Sequence, residues 1–184
     1  MSRIALLTAP EAPFGLADLY ADGDPGPIVA ALAHIPELAE VTLPFLGAVL
    51  GPSAVGLRTK EIVILRSSAM LGCRYCVDAH TVVARDASLS VDEVRALRGE
   101  GDVAAAFAED RERALIAWVD AVAVGPGDPP AAVAAAMAER YADADLVELT
   151  LLVGTTVMLN RFATCLRLPT GEQTRSRLDA EGWS

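Results

Sequence analysis

The chain has 184 residues, of which 53% are hydrophobic and only 5% aromatic, so one domain can bury a sizeable core of aliphatic and alanine side chains. Its formal net charge of −10 argues against binding to nucleic acid or to an anionic membrane surface, because both require clustered basic side chains. The first residues lack the apolar run of a secretory signal, and the longest uncharged apolar stretch, residues 149–160, is shorter than a membrane span, so we expect a soluble cytoplasmic protein.

The N-terminal part of the chain, residues 1–26, is predicted to be an irregular arm because prolines and glycines interrupt it. Apolar side chains between residues 14 and 20 predict one short anchored turn within it, and we expect the arm to pack across a neighbouring subunit. An all-helical, all-α domain is predicted over residues 27–168. Residues 169–184 are predicted to form a polar tail.

Helices are predicted throughout the domain, since apolar residues recur every three or four positions and no strand pattern survives. Prolines, glycines and capping residues place the helix ends. The predicted helices cover residues 27–34, 36–50, 59–71, 73–87, 91–97, 109–124 and 130–141, and a last long helix capped by Asp143 or Asp145 ends near residue 166. The last helix is nearly continuously apolar, which predicts that it is the central buried helix.

Three polar residues in or near the last helix and one earlier histidine need an interpretation. Asn160 and Arg161 are predicted to be a satisfied polar pair, with a place near the cysteine pocket or a subunit interface as the alternative. Cys165 is interpreted as a small core residue. His34, close to a helix end, is interpreted as a capping or solvated residue.

The chemically distinctive part of the chain is a cluster of two cysteines and a histidine. Cys73, Cys76 and His80 are spaced so that one face of a helix presents all three side chains. Glu61 lies twelve residues before Cys73, and it can fold back over the cluster if the chain reverses at Gly72. A carboxylate in the apolar helix predicted there needs a partner.

Several chemistries remain compatible with this cluster. A redox-active dithiol is favoured, in which one thiolate attacks a peroxide and the resulting sulfenic acid condenses with the other thiol. Zinc is an alternative, with Glu61 or Cys165 as a fourth ligand, although no second ligand pair is present. Three core residues without chemistry are the remaining interpretation. The helix N-terminus favours Cys73 as the more acidic thiol, whereas proximity to His80 favours Cys76.

The pattern E-x11-C-x2-C-x3-H resembles the signature of the AhpD-like alkylhydroperoxidases, which belong to the carboxymuconolactone decarboxylase superfamily. The resemblance extends from about residue 36 to 168. It implies an all-helical fold, with Cys76 as the peroxidatic thiol, Cys73 as the resolving thiol, and Glu61 and His80 as the proton relay. Tyr75 stands where the best-studied branch has a relay histidine, so the phenol or a water is a candidate for that step.

By the same resemblance we expect a thiol-dependent hydroperoxide reductase that uses no organic cofactor and no metal. Its electrons would come from an external dithiol, either a lipoylated or a thioredoxin-like protein. The resemblance also implies a homo-oligomer, a trimer or hexamer, with a dimer left open. The alternatives are an acid–base enzyme acting on a small lactone or oxo-acid, resembling the decarboxylase branch, and a non-enzymatic redox switch.

Overall fold

The computed structural model describes residues 1–125 and 127–183. Within these ranges the chain forms ten α-helices, two short 3-10 helices at Ala9–Glu11 and Phe14–Tyr20, and no strand, which confirms the all-α prediction. The α-helices are α1 (Pro27–Leu32), α2 (Pro36–Leu50), α3 (Leu57–Met70), α4 (Arg74–Asp86), α5 (Val91–Leu97), α6 (Val103–Ala106), α7 (Asp110–Val124), α8 (Ala131–Ala138), α9 (Asp143–Leu166) and α10 (Glu172–Glu181).

The centre of the domain is α3, which packs against α4, α7 and α9. Four consecutive residues of α3 are almost fully buried: Ile62, Val63, Ile64 and Leu65. A helix buried on all sides in this way needs no amphipathic pattern, because neighbouring helices cover every face. The structure therefore makes α3 the central helix, and the prediction that the last long helix occupies this place is wrong.

One face of α9 belongs to the core and another faces outward. Leu149, Leu152 and Val153 are buried, whereas Leu151 and Met158 remain about half exposed. Among the described residues, α9 is long and apolar enough to cross a membrane by length and composition. In this fold it packs against α2, α3 and α7.

Both ends of the chain pack onto their own domain. The backbone N–H of Arg3 donates to the carbonyl of Leu166 at 2.9 Å, so the N-terminal arm lies against the end of α9 rather than only across a neighbour. Leu16 and Tyr20 are buried, so the anchored turn predicted between residues 14 and 20 is confirmed.

The predicted polar tail is wrong for residues 172–181, which form α10. Leu178 of α10 is buried, and Trp183 packs against the main core. Arg177 also forms a bidentate pair with Asp86 of α4, with N–O distances of 2.8 and 3.0 Å. Two apolar side chains, Leu178 and Trp183, are enough to hold this otherwise polar segment on the domain. The composition of the segment therefore does not predict α10. Ser184 of the predicted tail lies outside the described residues.

Candidate functional site

The site is built by the reversal of the chain between α3 and α4. Gly72 has a φ of +64°, in the left-handed region that glycine adopts without strain, so α3 can end and α4 can begin beside it. A Cβ at this position would meet no atom within 4 Å, so the requirement for glycine is one of backbone conformation and not of space. The reversal predicted at Gly72 is present.

The two cysteines lie at the start of α4 and are joined as a disulfide, with Cα atoms 5.3 Å apart. Cys73 is the N-cap residue, and its sulfur accepts a hydrogen bond of 3.4 Å from the backbone N–H of Cys76. Cys73 and Cys76 are only 1% and 5% exposed, respectively. Any reactant must therefore reach the sulfur atoms through a small opening or after a local movement.

His80 and Glu61 meet across the α3–α4 contact. Nδ1 of His80 lies 2.9 Å from Oε2 of Glu61, with the carboxylate side chain 3% exposed and the imidazole 25% exposed. His80 is one helical turn after Cys76 on α4, and its imidazole is the more exposed member of the pair with Glu61. The sequence reasoning that Glu61 folds back toward the cluster agrees with this geometry.

Tyr75, the residue between the cysteines, is half-buried and packs against the cluster that contains Cys73 and Cys76. Burial raises the pKa of its phenol, and the nearby negative charge of Asp24 raises that pKa further. The phenol therefore stays protonated at neutral pH and can donate a hydrogen bond. Among the described residues it forms no hydrogen bond with Glu61 or His80, so no continuous relay through Tyr75 is formed in this state.

An apolar shell surrounds the disulfide. Ala31, Ala163 and Leu168 are buried together with the two cysteines, and half-buried apolar side chains from the N-terminal arm, α1 and the end of α9 pack around them. This shell excludes water from the sulfur atoms, which strengthens nearby electrostatic interactions. Sequence reasoning did not identify it, because its members come from distant parts of the chain.

The polar pair predicted on α9 is divided in the structure. Asn160 is buried, and its Oδ1 accepts a 3.0 Å hydrogen bond from the hydroxyl of Ser68 on α3, whereas Arg161 is exposed. Asn160 thus joins α9 to α3. Cys165 is exposed, so its interpretation as a core residue is wrong.

The zinc interpretation finds no set of ligands in the part of the chain that the structure describes, where no three His, Cys, Asp or Glu side chains are grouped to hold a metal ion. Cys165 is exposed on α9 and Glu61 is paired with His80.

A cleft of about 960 Å³ opens beside the dithiol, and Cys73 forms part of its wall. Its lining comes from the start of α4, the end of α9, and α10. Four arginines and two aspartates line it, at positions that sequence reasoning did not connect: Arg74, Arg98, Arg167, Arg175, Asp78 and Asp179. Tertiary packing alone brings these side chains together.

Residues 36–121, which include all four signature residues, match the model of the carboxymuconolactone decarboxylase family. No curated protein matches the chain. Among solved structures, a protein of unknown function from Agrobacterium tumefaciens, suggested to be the antioxidant defence protein AhpD, is 26% identical, with a TM-score of 0.68 over 77% of this chain and 95% of that chain.

Two further structures share the fold. The AhpD core of an uncharacterized peroxidase-related protein from Ralstonia eutropha JMP134 is 18% identical, with a TM-score of 0.81 and 94% of each chain covered. The debrominase Bmp8, as a cysteine-to-alanine variant in complex with 2,3,4-tribromopyrrole, is 17% identical, with a TM-score of 0.76 over 98% of this chain and 99% of that chain. The segment 36–121 therefore resembles the carboxymuconolactone decarboxylase family, and the chain shares its all-helical fold with AhpD-like proteins of known structure.

Proposed function

We propose that the protein is a thiol-dependent hydroperoxide reductase. The observation that carries the proposal is the arrangement on α4, where a Cys73–Cys76 disulfide occupies the first turn and the next turn presents His80 against the buried Glu61. A dithiol that can close to a disulfide stores two electrons. An imidazole oriented by a carboxylate can accept and return a proton.

The reaction begins with the reduced pair. His80 takes the proton from Cys76, whose thiolate attacks one oxygen of the hydroperoxide, so the O–O bond breaks and the S–O bond forms. The leaving alkoxide receives the proton and departs as an alcohol, and Cys76 becomes a sulfenic acid. Cys73 then loses its proton and its thiolate attacks the sulfur of Cys76, so that the S–O bond breaks, the disulfide forms, and the hydroxide leaves with that proton as water.

An external dithiol must return the two electrons. Its thiolate attacks the disulfide to give a mixed disulfide, and its second thiol then displaces the protein, which is left as two thiols. By family resemblance this donor is a lipoylated or thioredoxin-like protein.

The test is a peroxide challenge of the fully reduced protein, followed by mass spectrometry of the peptide that contains Cys73 and Cys76. We expect rapid loss of two hydrogens from this peptide, and no such loss in Cys76→Ser. The exposed Cys165 supplies a matched control, because Cys165→Ser should react like the unmodified protein. Thiols that stay reduced in the folded protein, or full peroxide consumption by Cys76→Ser, would contradict the proposal.

The Glu61–His80 contact also supports the second candidate, an acid–base enzyme acting on a small lactone or oxo-acid. This chemistry needs the carboxylate and imidazole but not the thiols. Turnover of such a substrate that survives the double change Cys73→Ala, Cys76→Ala would favour it. Disulfide formation without any turnover would instead favour the redox switch.

A further inference from the structure

The cleft beside Cys73 has an electrostatic character opposite to that of the whole chain. The chain carries a formal charge of −10, yet four arginines and two aspartates line this cleft. Asp78 is half-buried and accepts a hydrogen bond of 2.5 Å from the hydroxyl of Thr170, and the arginines outnumber the carboxylates of the lining by two. The cleft is therefore a local positive region in an acidic protein, which attracts anions.

Three of the arginines have their guanidinium groups available. Arg74, Arg167 and Arg175 are exposed, and none of them forms an ion pair within residues 1–125 and 127–183. The fourth, Arg98, is held by Glu100 at 2.7 Å and by the hydroxyl of Thr81 at 2.9 Å. Guanidinium groups without internal partners are suited to bind a carboxylate in bidentate geometry.

The backbone at one of these positions supports a role for the side chain. Arg167 follows the last turn of α9 with a φ of +53°. Glycine or asparagine is the usual residue at such a left-handed helix end, because other side chains crowd the backbone there. The chain nevertheless has an arginine at this place, with its side chain on the cleft wall.

The remainder of the wall is apolar. Ala163 and Leu168 belong to the shell around the disulfide, while Leu178 and Trp183 close the opposite side, where the guanidinium of Arg98 lies 5.4 Å from the centre of the indole ring. A volume of about 960 Å³ is at the upper end of what small-molecule sites in proteins offer. Apolar walls with a few cationic groups fit a ligand that has an apolar body and one anionic group.

We propose that this cleft binds an organic hydroperoxide that carries a carboxylate, with the carboxylate on Arg167 and Arg175 and the peroxide end toward Cys73, the member of the dithiol that forms part of the cleft wall. This inference rests on the proposed hydroperoxide reductase function and names its class of substrate. The hydroperoxy acid and the reduced pair give the corresponding hydroxy acid, water and the Cys73–Cys76 disulfide. Both electrons come from the two thiols.

The first experiment compares the hydroperoxide of linoleic acid with the methyl ester of the same hydroperoxide. The rate of disulfide formation in the reduced protein is measured for each, without any external reductant, so that the electron donor does not enter the result. We expect the acid to react roughly tenfold faster than the ester, because only the acid can pair with guanidinium groups. The ratio of the two rates should fall as salt is added.

The matched variants test the arginines themselves. In the double variant Arg167→Gln, Arg175→Gln the acid-to-ester ratio should fall close to one, whereas Arg161→Gln, an exposed arginine of α9 outside the cleft, should leave it unchanged. If the double variant does not fold, Arg175→Gln alone should lower the ratio in part. Equal rates for acid and ester in the unmodified protein would overturn the inference, while leaving the reductase function in place.

A binding measurement separates this inference from the proposed function. Decanoate, which contains no peroxide, is titrated into the oxidised protein by calorimetry, and methyl decanoate serves as the uncharged control. Binding of decanoate that is lost in the double variant would keep the anion site even if no hydroperoxide oxidises the thiols. Absence of decanoate binding to the unmodified protein would remove the site.

Discussion

At the scale of single residues, the proposed reaction depends on the contact between Glu61 and His80. The Glu61 side chain on α3 is almost completely buried, and its 2.9 Å contact with Nδ1 fixes the orientation of the His80 imidazole. A buried carboxylate without such a partner is costly. The pair is therefore both a structural contact between α3 and α4 and the proton-handling unit of the proposed reaction.

Glu61→Gln retains the size of the side chain but removes its charge, so the imidazolium formed during proton transfer is no longer stabilised. We expect thiol oxidation by peroxide to slow by roughly ten- to a hundredfold near neutral pH, the range typical of groups that orient a reacting residue. The loss should shrink as the pH approaches the ordinary thiol pKa of about 8.5, because the thiolate then forms without a base. Stopped-flow kinetics over this pH range measure both effects, and an unchanged neutral rate would exclude this role.

The residues of the site differ in how far the sequence could predict them. The spacing of Cys73, Cys76 and His80 predicts one helical face, because helix geometry is local. The exposure of Cys165 and the bond between Asn160 and Ser68 depend on how α9 is rotated against α3, and helical periodicity in a nearly uniform apolar segment cannot determine that rotation. The arginine cleft depends on the docking of α10, which the composition of that segment conceals.

At the scale of helices, a buried lysine connects the end of α2 to α3. Lys60 is 1% exposed, donates to the carbonyls of Val49 and Gly51 at 2.9 and 2.7 Å, and pairs with Glu148 of α9 at 3.0 Å. The last carbonyls of a helix have no partner within the helix, so the ammonium group satisfies them. Lys60 directly precedes Glu61, so this cap also holds the proton-handling segment in place.

Lys60→Met retains most of the apolar volume and removes the ammonium group. We expect the free energy of unfolding to fall by about 2–3 kcal/mol, since two buried carbonyls and one carboxylate lose a charged donor. Urea denaturation followed by circular dichroism measures this change. Arg161→Met, at an exposed position of α9, should change stability by less than about 0.5 kcal/mol. A similar small effect in Lys60→Met would contradict the capping role.

The start of α5 predicts a sensitivity to acid. Ser90 and Glu93 form the capping box that the sequence pattern indicates, and Arg58 of α3 binds the same carboxylate. Burial raises the pKa of Glu93, but the hydrogen bonds from Arg58 and Ser90 outweigh burial and hold that pKa below its ordinary value of 4.5. A depressed pKa in the folded state gives stability that is present above about pH 4.5 and is lost as the pH falls through the lower, folded-state value.

We therefore expect the free energy of unfolding to decrease less steeply below about pH 4.5 in Glu93→Gln than in the unmodified protein. Near neutral pH the variant should be less stable, by about 1 kcal/mol, because the cap is weakened. Urea titrations at several pH values between about 3.5 and 7 measure both the stability near neutral pH and its decrease in acid. Parallel curves for the two proteins would show that this carboxylate does not contribute to acid unfolding.

Helix positions were largely predictable, because prolines, glycines and the Ser90–Glu93 pattern mark their ends. The extent to which each helix is buried was not predictable from the sequence. The long apolar sequence of α9 suggested a central helix, but α3 occupies the centre because its neighbours cover all of its faces. Composition reports how much apolar surface a helix has, whereas topology decides how much of it is covered.

At the scale of the whole molecule, an apolar face on α2 and α9 remains uncovered in the single chain. Phe45, Val147, Leu151 and Met158 are between 39% and 70% exposed and line a cavity of about 720 Å³. Contiguous apolar surface of this kind is typical of protein interfaces. We propose that a second copy of the chain covers it, in line with the homo-oligomer that the sequence resemblance implies.

Leu151→Glu places a charge in the middle of this face and should shift the protein toward the monomer without unfolding it. Sedimentation velocity at several protein concentrations gives the mass of each species. Val91→Glu, at an apolar position of similar exposure at the start of α5, should retain the assembly of the unmodified protein. A monomeric unmodified protein, or an assembly unaffected by Leu151→Glu, would contradict this interface.

The hydrogen bond from the backbone of Cys76 to the sulfur of Cys73 has a thermodynamic consequence. A thiolate accepts such a bond more strongly than a disulfide sulfur, and the positive end of α4 adds to the difference. The fold therefore stabilises the reduced form of the cysteine pair relative to the disulfide. A thermodynamic cycle converts this preference into a higher reduction potential of the disulfide. In the proposed reaction this preference favours the transfer of electrons from a donor dithiol to the Cys73–Cys76 disulfide.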